Sequence, residues 1–305
     1  MKALRKHLSN YLELRRALGF KTDRATGLLS SFASFLERKH RPVITSELAL
    51  AWAKQPADAH PYWWAWKLSM VRGFARHVHL ADARHEIPPV DLLPARCLRS
   101  TPVLYSADEI HRLLLAARSQ ETPPFRRLTY ETFLGLLAVT GMRVGEAIRL
   151  DRGDVDWTQQ LLSVYEGKFH KSREVVLHPT VIRALRRYAA ERDRVHPRPR
   201  SPSFFLSLLG TRLVYNNVRC SFVALLRHAG IKRKRARLHE LRHSFAVATL
   251  LRWHQEGIDV DASMPRLSTY LGHSNPSFTY WYLTASPELM ALVGRKLERA
   301  LGVLP

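Results

Sequence analysis

One stretch limits the folds open to this chain more than any other. Residues 87–104, IPPVDLLPARCLRSTPVL, hold four prolines and no helical period. Proline cannot continue a helix, and it biases the residue before it to extended backbone. Such a run reads as a stiff connector between two separately packed parts. With 305 residues, each part is long enough to bury a core of its own. The expected layout is a domain over 1–86, a linker over 87–104 and a second domain over 105–305.

Before the linker the apolar spacing is helical. Residues 3–18 place Leu4, Leu8, Tyr11, Leu12 and Leu18 on one face, and residues 25–39 repeat the pattern with Leu28, Leu29, Phe32, Phe35 and Leu36. Thr45 can cap a third helix through Leu48 and Trp52. A fourth is predicted over about 61–78, with Trp63, Trp66, Val71, Phe74 and Val78 inward. These aromatic side chains read as core rather than as platforms for stacked bases.

After the linker, Ser106-Ala-Asp-Glu109 has the form of a capping box, followed by Ile110, Leu113, Leu114 and Ala117 at helical spacing. A more apolar helix over 126–139 breaks at Thr140-Gly141, and a short helix restarts near Arg143. Residues 160–166 and 173–177 read as two strands around the turn GKFHKS. Thr180 is placed to cap the next helix. Further helices are expected at about 214–229, 238–253, 264–272 and 276–284. A last helix, from Ser286-Pro287, would carry Leu289, Leu292, Val293, Leu297 and Leu301 on one side, either covering its own core or docking on a neighbouring protomer. The fold class is therefore mainly α with one small β-hairpin.

The charge decides the class of partner. The net charge is +22, with a pI near 10.7, and residues 1–100 carry 17 Lys and Arg against 8 Asp and Glu. That leaves both parts strongly basic, at +9 and +13, as expected of a protein that holds nucleic acid along its whole length. No run of apolar residues is long enough for a membrane span, and the charged N-terminus lacks a signal-peptide core, so the chain is expected in the cytoplasm, on nucleoid DNA. No membrane partner is expected. Cys97 and Cys220 are far apart and read as reduced thiols. The basic run at 232–237, with Lys232, Arg233, Lys234 and Arg235, suits a phosphate backbone. Arg96 and Arg99 of the linker are placed to track one as well.

Several groups able to clamp or attack a phosphodiester recur along the second part. Arg143, in TGMRVGEAIRL, stands where a helix N-terminus can meet an anion, although by itself it reads first as a surface partner for Glu146. His239 and Arg242 share a helix face in HELRHSF. His273 follows Leu271-Gly272, where a lone His is often a helix cap. Tyr280 and Tyr282 flank Trp281 and point in different directions, so at most one of the two faces a site.

Taken together and in order, these elements resemble the tyrosine recombinase (phage integrase) family. The motifs are an Arg in TGxRxxE, a Lys in a β-hairpin, HxLRHxF, LGH, and a Tyr nine residues later. The likeness spans essentially the whole second part, and the helical first part fits the family's core-binding domain. It implies a two-domain, C-shaped clamp on double-stranded DNA, with a mixed catalytic domain. Arg143 and Arg242 would clamp the scissile phosphate, and Tyr282 would attack it. Lys168, at the hairpin turn, would protonate the leaving 5′ oxygen, with Lys171 as a competitor further along the turn. His239 would accept the phenolic proton, His273 would donate to the phosphate, and Glu146 would be structural support. The product would be a covalent 3′-phosphotyrosine that conserves the bond energy. Neither ATP nor a metal is then required, and no GxxxxGK[ST] loop or two-metal carboxylate cluster is seen. Cofactors and metal ligands are accordingly expected to be none. Four protomers would act on two DNA sites and exchange strands through a Holliday junction, in integration, excision or transposition. No segment ahead of the first helix suggests an added arm-binding domain.

Two other readings use the same residues. A type IB topoisomerase would nick and reseal without a partner site, but the two-domain layout and the HELRHSF and LGH wording favour a recombinase. An accessory DNA-binding protein would lack catalytic residues, and here all six stand.

Overall fold

The computed structural model describes residues 2–20, 22–94, 103–165, 172–233, 236–285, 289–291 and 294. The chain divides into two units, Met1–Ser100 and Thr101–Pro305. Among the described residues, the first unit holds α1 (Lys2–Ala17), α2 (Asp23–Arg38), α3 (Ser46–Ala53) and α4 (Pro61–His79). Leu4, Leu8, Tyr11 and Leu12 of α1 meet Leu29, Phe32, Phe35 and Leu36 of α2 and Leu68, Val71, Phe74 and Val78 of α4 in one core. Each such side chain is worth roughly 1.5–3 kcal/mol of burial. The hydroxyl of Thr45 accepts the Leu48 N–H and starts α3.

Two expectations fail here. Leu18 lies beyond the end of α1 and is 59% exposed. Trp63 is 42% exposed and stacks on Trp66, because Pro61 starts α4 with its first turn facing solvent.

The ends of the predicted linker are docked where they are described. Leu93 is buried in the first core. The carbonyls of Pro88 and Pro89 accept from the buried Arg72 guanidinium at 2.7 and 2.6 Å. An extended Pro-Pro step has no helix or strand to satisfy its carbonyls, so a buried cation can take them. Tyr105, by contrast, is buried in the second unit and donates its backbone N–H to Ser244 at 2.7 Å. Arg96 and Arg99 lie outside the described residues.

The second unit runs α5 (Ala107–Ser119), α6 (Pro124–Thr140), α7 (Val144–Arg149), β1 (Val155–Asp156), β2 (Leu161–Tyr165), β3 (Ser172–Val176), α8 (Pro179–Val195), α9 (Tyr215–His228), α10 (His239–Gln255), α11 (Val260–Leu271) and α12 (Ser277–Ala285). The Ser106–Glu109 capping box forms in both directions. The hairpin gains a short third strand, giving an antiparallel sheet in the order β1-β2-β3. Val164 pairs with Arg173 and Tyr165 with Ser172. The turn at 166–171, which carries Lys168 and Lys171, lies outside the described residues.

Two helix starts differ from expectation. The cap of α8 is His178, whose Nδ1 accepts the Thr180 N–H; Pro179 takes the first helical position, so Thr180 is already inside. Helix α11 begins at Val260, capped by Asp259, and runs through Pro265 at the cost of one backbone bond.

Two apolar clusters fill this unit. The larger includes Phe133, Tyr188, Phe204, Phe205 and Phe222; the smaller includes Met264, Leu267, Leu271 and Tyr282. Helix α10 belongs to both, through Leu241 and the preceding Leu238 in the first and Ala246, Val247 and Leu250 in the second. Leu289 is fully buried in the smaller cluster, so the predicted final helix covers its own core there. Leu292, Val293, Leu297 and Leu301 lie outside the described residues.

Candidate active site

The site gathers around the C-terminus of α11. The last carbonyls of a helix have no partner within it and carry the negative end of its dipole. Here three successive carbonyls each receive a guanidinium. Tyr270 accepts from Arg173 Nε at 2.9 Å, Leu271 from Arg242 Nη2 at 2.7 Å and Gly272 from Arg143 Nη2 at 2.6 Å. Gly272 makes this possible: it is left-handed, with φ of +68°, and a Cβ there would lie 2.6 Å from the Arg173 guanidinium.

The three arginines come from separate elements. Arg143 caps α7 just after Gly141, whose φ of +61° ends α6 and where a Cβ would strike the Phe245 ring at 2.5 Å. Arg242 stands on α10, 2% exposed, and its Nη1 also donates to the Gly141 carbonyl at 2.8 Å. Arg173 lies on the inner face of β3.

A single buried carboxylate, Glu146, serves two of them. It accepts from Arg143 at the backbone N–H (2.9 Å) and at Nη1 (2.8 Å), and from Arg173 Nη2 at 2.6 Å. Burial pushes its pKa up, but the Arg173 hydrogen bond and charge, with Arg143 behind them, hold it below the ordinary value. Around this carboxylate the cations are in excess. Burial first, then the neighbouring Arg143, pulls Arg242 down to about 10, against the raising effect of Tyr282 and Glu146. An arrangement of this kind favours an incoming anion and presents planar donors suited to phosphate oxygens.

The other predicted residues surround the same place. Tyr282 on α12 is 2% exposed, and its hydroxyl lies 3.1 Å from His243 Nδ1. Tyr280 is 41% exposed on the other side of the helix. The His273 ring stacks near Tyr282 at 6.2 Å, and its Nδ1 hydrogen-bonds Thr279 Oγ1 at 2.7 Å. His239 opens α10 with an exposed edge and meets His243 edge-on at 4.7 Å. All three histidines are held below the ordinary pKa of 6.5, by burial first and then by Arg242 and Arg143 or, for His243, by His239 and Arg242, with His243 at about 4 and His273 at about 3. They are neutral imidazoles at pH 7. Lys168 cannot be placed, since it lies outside the described residues.

Arg173, His243 and Thr279 take parts in this arrangement that the motif reading did not assign. Arg173 had a signal: it alternates with Val175 and Leu177 on the apolar face of a strand, where an unpaired Arg would be costly. His243 had none beyond its place in HELRHSF, because its partner is on another helix. Among the described residues, no three His, Cys, Asp or Glu side chains are grouped as a metal site needs.

The predicted DNA contacts at 232–235 divide. Lys232 is exposed and lines an open hollow with Arg219, Arg227 and Arg237. Arg233 borders the same hollow but turns its guanidinium to Glu109, at 2.7 Å, and to the Leu104 carbonyl. It ties the basic run to α5 instead of facing outward. Lys234 and Arg235 lie outside the described residues.

The phage integrase family model matches residues 104–288. A putative integrase/recombinase of Sinorhizobium fredii, y4rB, is 44% identical over 98% of both chains. The chain belongs to the phage integrase family. As a member, it is a tyrosine-type site-specific recombinase. The tyrosine recombinase XerD of Staphylococcus epidermidis is 30% identical over 72% of this chain and 70% of its own. The fold is also that of a lambda integrase solved as a tetramer bound to a Holliday junction, with a TM-score of 0.59 and 17% identity over 92% of this chain and 76% of that one. Among the described residues, no helix is long and apolar enough to cross a membrane.

Proposed function

We propose that this integrase cleaves and rejoins duplex DNA through a covalent 3′-phosphotyrosine at Tyr282. The observation that carries the reading is the placing of the Tyr282 hydroxyl, away from solvent, beside neutral imidazoles and the buried Arg242. Arg143 and Arg242 hold the non-bridging oxygens of the scissile phosphate and offset the charge that grows in the transition state. Tyrosine is ordinarily protonated at pH 7, so its attack requires both that compensation and a base. A neutral imidazole at the start of α10 takes the proton, His239 being the one the motif order assigns. His273 donates to a phosphate oxygen, and Lys168 protonates the leaving 5′ oxygen. The 5′ hydroxyl of a second DNA end then reverses the step.

Lys232, Lys234 and Arg235, with Arg96 and Arg99, follow the phosphate backbone, and Arg233 anchors the run from behind. The partner is double-stranded DNA, two sites held by a homotetramer, as the lambda integrase tetramer on a Holliday junction illustrates for its own chain. The place of action is nucleoid DNA in the cytoplasm.

The test begins by sequencing DNA ends trapped on the wild-type protein and building nicked suicide duplexes from them. Wild type should accumulate a 3′ adduct on Tyr282, and Tyr282→Phe none. An adduct persisting in Tyr282→Phe, or mapping to Tyr280, would sink the assignment. DNA affinity should also fall steeply with salt as phosphate contacts release counterions.

A further inference from the structure

The base that takes the phenolic proton can be named more closely. Of the imidazoles at the site, His243 is in hydrogen-bond contact with the attacking group: its Nδ1 lies 3.1 Å from the Tyr282 hydroxyl oxygen. We propose that His243 is the base that removes the proton from Tyr282, an inference that rests on reading Tyr282 as the nucleophile. The Nε2–H tautomer turns the Nδ1 lone pair to the hydroxyl, which then donates. The ring is held in that attitude. His239, one turn earlier on α10, meets it edge-on at 4.7 Å, and Trp281 of α12 meets it at 5.4 Å. Tyr282 itself closes the remaining side, ring to ring at 5.5 Å.

The step balances with Tyr282, His243 and the Lys168 acid of the proposed reaction. The Tyr282 O–H bond breaks and its proton passes to Nδ1, giving an imidazolium. The phenolic oxygen bonds to phosphorus, the P–O5′ bond breaks, and the 5′ oxygen takes a proton from Lys168. In rejoining, the 5′ hydroxyl attacks, Tyr282 leaves and the imidazolium returns the proton.

The charged and titratable groups facing His243 are His239, Arg242 and Arg237 on and before α10, with Tyr282 on α12. Burial first, then the neighbouring His239, Arg242 and Arg237, hold the ring at about 4 without DNA, so its lone pair is in place at pH 7. An arriving phosphodiester brings negative charge to the same guanidinium and raises the basicity of the ring as the substrate binds.

The test uses the full chain and suicide duplexes built from its own trapped DNA ends. Asn at position 243 sets an amide near the place of Nδ1 and keeps a hydrogen bond, but cannot take a proton. His243→Asn should therefore bind DNA and melt as the parent does, while single-turnover cleavage at neutral pH falls about 100-fold. Its rate should then climb about tenfold per pH unit from roughly pH 7 to 9, as solvent supplies the phenolate of a group with a pKa near 10, while the parent stays near level. A parent-like rate, or a level profile in His243→Asn, overturns the proposal. So does a steep profile in His239→Asn with none in His243→Asn. Where Asn unsettles the helix, added imidazole should rescue His243→Ala and not His239→Ala; the reverse pattern overturns it. Tyr282→Phe on the same DNA separates the two ideas, because an adduct surviving there removes the nucleophile reading itself.

Discussion

Both units bury basic side chains, to different ends. In the first unit, Lys67 Nζ donates to the Trp52 and Gln55 carbonyls, and Arg72 to those of Pro88 and Pro89. Each cation closes the free end of a loop, and burial lowers the pKa of both. In the second unit, Arg143, Arg173 and Arg242 also dock on carbonyls, but on three successive ones at one helix end, and two of them, Arg143 and Arg173, share a single carboxylate. A lone cation on carbonyls is a staple. Three cations within reach of one another and of one carboxylate make a place where a further anion is welcome, because it relieves their mutual repulsion. The chemistry of the side chains is the same; their grouping makes the difference.

Arg242→Lys puts that contrast to the hardest test. It keeps the charge and loses the planar fork, so single-turnover cleavage should fall by about 10²–10³-fold with DNA affinity little changed. A rate within a few-fold of the parent would leave Arg242 as another staple. Next in size is Glu146→Gln, which leaves the buried Arg173 without its carboxylate. Urea denaturation should show a loss of about 3 kcal/mol, partly restored by added sulfate. An unchanged midpoint would mean that the carbonyls alone suffice. Lys67→Met should cost about 1–3 kcal/mol through its two orphaned carbonyls and leave cleavage per folded molecule untouched. A loss of cleavage with stability retained would erase the distinction between the units.

The smallest effect is with pH. His243 and His273 are held to about 4 and about 3 in the folded chain, against 6.5 when unfolded. Below pH 6.5 the unfolded state therefore binds more protons, so stability falls as the pH drops from 6.5 toward 4, and it is fully present above 6.5. Urea midpoints between pH 7 and 5 should show this slope, and His243→Asn with His273→Asn should lessen it, leaving the share of His239, which is also held to about 4. An identical slope in the double variant would put the titrating groups elsewhere.

Much of this arrangement was legible in the order of residues. Leu4, Leu8, Tyr11 and Leu12 recur at helical spacing and are buried together, and Ser106 with Glu109 forms the box its pattern describes. The TGMRVGE, HELRHSF and LGH motifs named Arg143, Arg242 and His273, and the structure brings those side chains together around the end of α11. Local pattern misled where solvent decides the face, as at Leu18 and Trp63, or where two residues compete for a cap, as at His178 and Thr180. Arg233 looked like a surface cation by charge alone; its partner Glu109 is 124 residues away in sequence and close in space.

By itself, then, the sequence determined the helical character, the basic charge and the family. Periodicity, backbone restriction and charge are properties of neighbouring residues and of sums, so a linear reading captures them. Only the tertiary structure decided that Arg173 joins Glu146 and that His243 touches the Tyr282 hydroxyl. Those are contacts across 27 to 39 residues between separate elements. They depend on how α10, α11, α12 and β3 pack, and no local propensity encodes that.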